Sequence, residues 1–189
     1  STIFRQHNAS RQKVKPPFEF TVSAVRALRA LKPGGGFTAD STGTDLVDDM
    51  QKMGMNLFHR EEPDGWSEFG RDWINTSSLV DRMRFLQGFL KVGNTRYSDP
   101  VGLVKLKMPS AQWRDAAAVA DFFLDLLYLG EGRANLTLDR ATAIGFLNTN
   151  EAGTQTSAFT SLDPNSATYD ARVRGVSAFL MGLPRFHEQ

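Results

Sequence analysis

The sequence of 189 residues predicts an all-α fold, an irregular bundle of about six helices with one long, aromatic-stapled loop. Three observations lead there. Apolar residues recur at spacings of three and four along most of the chain, as on a helix face turned to a core. Pro, Gly, Asn, Asp and Ser punctuate those stretches at positions that start or stop helices. No two stretches alternate polar and apolar residues strongly enough to pair as strands.

Pro16-Pro17 opens the first helix, since a first-turn proline lacks only an N–H that has no partner anyway. Its apolar line is Phe18, Val22, Val25 and Leu28; Arg26, Arg29 and Lys32 gather near its C-terminus, and Pro33 followed by Gly34-Gly35-Gly36 ends it. A short second helix carries Leu46, Val47, Met50 and Met53, with Gly54 as a left-handed cap. The long loop follows. It holds the turn signal Pro63-Asp64-Gly65, and Trp66 and Trp73 flank a polar stretch that their rings staple to the core.

Asn75 or Thr76 caps a third helix along Leu79, Val80, Met83, Leu86, Phe89 and Leu90, which Gly93-Asn94 stops. Val101 to Met108 alternates weakly and reads as an extended connector. Ser110 caps the longest helix, with Trp113, Ala116, Ala117, Ala120, Phe123, Leu124 and Leu127 on one wide face and Gly130 at its end. Asn135 or Thr137 starts a shorter helix through Ile144 and Leu147. Asp163-Pro164 begins the last, where Tyr169, Val173, Val176, Leu180 and Leu183 share a face before Pro184 terminates it.

The composition excludes several function classes. With 22 Lys+Arg against 21 Asp+Glu the formal charge is +1, which argues against a protein acting mainly as a polycation on nucleic acid. Residues 1–15 form a basic arm (Arg5, Arg11, Lys13, Lys15), read as a solvated face. The absence of cysteine removes disulfides, thiolate metal sites and a cysteine nucleophile. No apolar run is long enough for a membrane helix, so no membrane insertion is expected. Gly34-x-Gly36-x-x-Ala39 imitates a dinucleotide fingerprint but follows a helix instead of a strand. No cofactor is expected.

His59 with Glu61, Glu62 and Asp64 is the best cluster of potential ligands or acid–base groups. The four lie on a loop without fixed spacing, so a solvated charged loop or a contact surface is the preferred reading and no metal is expected. The candidate binding residues are Phe58, His59, Glu61, Glu62, Asp64, Trp66 and Trp73, where the tryptophans are anchors if exposed and core if buried. Asp48 and Asp49 read as surface charges, and His7 and His187, near the ends, carry no signal.

Lys13-Val14-Lys15-Pro16-Pro17-Phe18-Glu19-Phe20, Val25-Arg26-Ala27, Met53-Gly54-Met55-Asn56-Leu57-Phe58, Pro63-Asp64-Gly65-Trp66 and Trp73-Ile74-Asn75-Thr76 leading to Leu79 and Arg82 together resemble a bacterial family, domain of unknown function 1800. The closing Phe179 to Phe186 resembles that family's C-terminal helix. This loop departs from the family pattern at Asn56, where Gln is frequent, and at Glu61-Glu62, where a proline-rich pair is. The resemblance implies a mostly helical, exported protein, periplasmic or otherwise outside the cytoplasm, though a cytoplasmic location stays open. It also implies a neighbour of a sulfatase-like family, domain of unknown function 1501, and it names no catalytic residue. Because members are longer and the chain starts at Ser1, residues 1–189 are expected to be a single helical domain forming the C-terminal part of a longer protein. The function expected is a helical interaction or accessory module whose loop contacts a protein or glycan partner. The alternative is a metal-binding or hydrolytic fragment using His59, Glu61, Glu62 and Asp64.

Overall fold

The computed structural model describes residues 13–29, 44–60, 65–67, 69–94 and 98–188. Among these the chain is all-α, with eight helices: α1 (Pro17–Leu28), α2 (Thr44–Lys52), α3 (Thr76–Phe89), α4 (Pro100–Lys107), α5 (Ala116–Leu127), α6 (Thr137–Leu147), α7 (Ala167–Gly182) and the single-turn α8 (Pro184–His187). Extended pairing among the described residues is limited to two isolated antiparallel bridges, Val14 with Glu188 and Thr149 with Thr156.

α7 is the hub, packing on α3, α4, α5, α6 and α8. Its line of Tyr169, Val173, Val176 and Leu180 is fully buried, while Leu183 lies just past its end. Ser166 caps it, its hydroxyl accepting from the Tyr169 N–H at 3.2 Å. Two tyrosines tie the hub across the bundle. The Tyr169 hydroxyl donates to the Trp113 carbonyl at 2.6 Å, and the Tyr128 hydroxyl to the Leu180 carbonyl at 2.5 Å.

Leu79 and Val80, expected on the apolar line of α3, are exposed, and α7 starts at Ala167 and not at Asp163-Pro164; four further expectations need correction. The first concerns α1, which buries Phe20, Thr21, Ala24 and Leu28 and leaves Phe18 exposed, because the Phe20 ring packs edge-on against Phe85 and Phe186. The face is therefore rotated from the Phe18 line, although both lines include Leu28. In the second case, Val101 to Met108 is not an extended connector but the body of α4. Asp99 caps it by accepting from the Gly102 N–H at 2.8 Å, and Pro100 takes the first turn. A Cβ on Gly102 would lie 2.1 Å from the Asp99 carboxylate, so a larger residue there would make the capping side chain turn.

Ser110, thirdly, begins only a 3-10 turn, and Asp115 caps α5 by accepting from the Ala117 and Ala118 N–H groups. Trp113 lies outside that helix, its indole N–H bonded to the Met108 carbonyl at 3.0 Å, and the longest helix is α7. Finally, Pro184 ends α7 and also starts α8, which folds the C-terminal segment back toward α1 and α3. The Gly34-Gly36 segment lies outside the described residues.

Candidate functional site

Two structures adjoin at one end of the bundle. The first is the loop between α2 and α3. Gly54 closes α2 at φ +97°, and the buried Met55 returns its N–H to the Met50 carbonyl at 2.9 Å. Asn56 to His59 then form a tight turn in which the His59 N–H donates to the Asn56 carbonyl at 3.2 Å. Its third position, Phe58, has φ +65°, the single non-glycine residue with positive φ among those described. That backbone is the one glycine or asparagine ordinarily supplies. The turn lifts the Phe58 side chain into solvent, where it is 98% exposed, with His59 and Arg60 exposed beside it.

Gly65, the glycine of the Pro63-Asp64-Gly65 signal, takes φ +75°, while Pro63 and Asp64 lie outside the described residues. The Trp73 indole N–H donates to the Ser67 carbonyl at 2.8 Å, and the Ser67 hydroxyl bonds the Asp72 carboxylate at 2.5 Å and accepts the Phe69 N–H at 3.1 Å. A reciprocal cap anchors the far end. The Asn75 side chain accepts from the Ser78 N–H, Ser78 Oγ accepts from the Asn75 N–H, both at 2.9 Å, and the Ser78 hydroxyl also reaches the Trp73 carbonyl at 3.0 Å.

Trp73 is thus core. Trp66 is half-buried, its ring centroid 5.9 Å from that of Trp73, with the Arg60 guanidinium 5.1 Å from the Trp66 ring. Phe69 stands out at 67% exposure. Of the remaining candidates, Glu61, Glu62 and Asp64 lie outside the described residues. Among the described residues no three His, Asp or Glu side chains come together to hold a metal ion.

The second structure is a clasp that sequence reasoning misses. The segment before α1 lies along α8: the Lys15 N–H donates to the His187 carbonyl at 2.8 Å, and Lys15 Nζ to the Phe186 carbonyl at 2.7 Å. Arg82, wholly buried on α3, closes the arrangement. Its Nη2 donates to the Lys15 carbonyl at 2.6 Å, its Nη1 lies 3.4 Å from His187 Nδ1, and its Cζ sits 4.8 Å from the Phe20 ring centre. Beside the clasp lies an apolar groove of about 500 Å³ lined by Val14, Ile74, Leu79, Gly182, Pro184, His187 and Glu188. Gly70 joins the two structures, because a Cβ there would fall 2.8 Å from the Val14 nitrogen.

A family model described as Protein of unknown function (DUF1800) matches residues 1–187. The chain belongs to this family. No curated protein and no solved structure matches it. Three of the segments through which the chain resembles the DUF1800 family are distant in sequence, yet Lys15 and Phe20 of the first, Arg82 and Phe186 meet in the clasp. A signal for it does exist in the sequence. Arg82, Phe85 and Phe89 stand at i, i+3 and i+7 on α3, and a cation sharing a stripe with two phenylalanines demands buried acceptors.

Proposed function

We propose that the chain is a helical interaction or accessory module of an exported bacterial protein, docking a protein partner of sulfatase-like type through the rings of Phe58, Trp66 and Phe69. The observation that carries this reading is Phe58, a phenylalanine 98% exposed on left-handed backbone. That conformation costs on the order of 1 kcal/mol for a non-glycine residue, and the exposed ring gives the folded monomer nothing against the cost. Phe69 and the open part of Trp66 add apolar area. Trp73 and the Asn75–Ser78 cap hold the segment from beneath, which lowers the ordering cost of an interface and suits aromatic anchors. The exported setting and the partner type rest on the family resemblance.

The test is titration calorimetry between this chain and a sulfatase-like protein of the domain of unknown function 1501 family. Phe58→Gly relieves the left-handed strain, so its Tm is expected not to fall while affinity drops at least 10-fold, about 1.4 kcal/mol or more. Unchanged affinity in that variant, or no binding by the unaltered pair, overturns the reading.

A further inference from the structure

The clasp lies outside the proposed docking segment, and its chemistry points to a different property. His187 is buried at 5% exposure, with Nδ1 turned to Arg82 Nη1 at 3.4 Å. A guanidinium only donates, so Nδ1 accepts and the neutral ring carries its proton on Nε2. Among the described residues, four elements besides α8 surround the ring. α3 contributes Arg82; the segment before α1 contributes Lys15; α1 contributes the Phe20 ring, with centroids 4.9 Å apart; and α7 contributes the Met181 backbone. On α8 itself Arg185 is turned to Glu131 and Asp139, and Glu188 follows in the chain. The charges acting on the imidazole are those of Arg82 and Lys15, both positive.

We propose that His187 is the trigger of an acid-released clasp: a proton taken from solvent by Nδ1 sets donor against donor and cation against cation at Arg82. α8 and the segment before α1 then part from α3, and the apolar groove beside Val14, Ile74 and Leu79 opens. Burial, reinforced by Arg82 and Lys15 and only partly opposed by the Met181 backbone, holds the imidazole down to about 4 from its ordinary 6.5. The sign follows from that depression. The closed clasp favours neutral histidine, so it is intact above pH 6.5, weakens as pH falls from 6.5 toward 4, and loses little more below.

The test is amide hydrogen exchange, corrected for intrinsic rates, at pH 6.5 and pH 4.5. The open population at residues 13–20 and 183–188 is expected to rise about 40-fold on acidification, while α5 and α6 hold. His187→Gln keeps an acceptor for Arg82 but cannot titrate, and its rise is expected to stay below about 3-fold. A pH-independent tail in the unaltered protein, or the same loosening in His187→Gln, overturns the proposal. If that variant does not fold, carbon NMR of the unaltered His187 ring decides. A midpoint well below 6.5 that tracks the exchange supports the clasp, and a midpoint at 6.5 refutes it.

Discussion

Arg82→Ala is expected to lower the unfolding free energy by about 3–4 kcal/mol, a loss of roughly 10 °C in Tm. The side chain is fully buried, so alanine leaves a void against Phe20 and removes the donor to the Lys15 carbonyl and the group facing His187 Nδ1. A partly opposing effect must be weighed. Burial pulls the Arg82 guanidinium down to about 10, so removing the cation also removes a desolvation cost. Arg82→Met, which fills the space without charge, is therefore expected to recover about half the loss. Chemical denaturation of both variants separates cavity from hydrogen bonding, and a loss under 1 kcal/mol in the alanine variant contradicts the assignment of Arg82 as the lock of the clasp.

Arg172→Met is expected to cost about 3 kcal/mol, for a different reason. This buried guanidinium on α7 donates from Nη1 to the Ser157 carbonyl at 2.6 Å and the Leu147 carbonyl at 3.1 Å, and from Nη2 to Ser157 Oγ at 2.8 Å. Those bonds fasten the turn closed by the Thr149–Thr156 bridge onto the hub helix. Methionine fills the volume, but the acceptors stay near the core with no donor, and each hydrogen bond to a charged group is worth about 1.5–3 kcal/mol. The ion pair of Arg172 with Glu151, at 3.3 Å, is different because Glu151 is half-exposed. Glu151→Ala is accordingly expected to leave stability almost unchanged. Equal losses in the two variants would show that the outer ion pair, and not the buried carbonyls, carries the anchoring.

Helix α7 is legible in the sequence because its face is long and uniform, and burial of Tyr169, Val173, Val176 and Leu180 follows from spacing alone. α4 is not, since Val101 to Met108 alternates only weakly, which reads as an extended connector, and its eight residues leave little helical periodicity to count. The decisive signal is Asp99-Pro100, the same pairing that marks the approach to α7 at Asp163-Pro164. At the loop, Gly65, the Asn75 cap and the Trp73 staple are readable because each is local chemistry. What separates core Trp73 from half-open Trp66 is tertiary, and so is the exposure of Phe58. The clasp is the least legible, because Lys15, Arg82 and His187 meet across 67 and 105 residues and only a buried arginine on an apolar stripe hints at it.

The proposed docking role is tested most directly by amide hydrogen exchange of the chain alone and mixed with a sulfatase-like protein of the proposed partner type. Protection is expected to grow at least 10-fold at residues 56–60 and 65–73, with α5 and α6 unchanged. Protection confined to the α5–α6 face, with none around Phe58 and Trp66, contradicts the assignment of this segment as the docking surface.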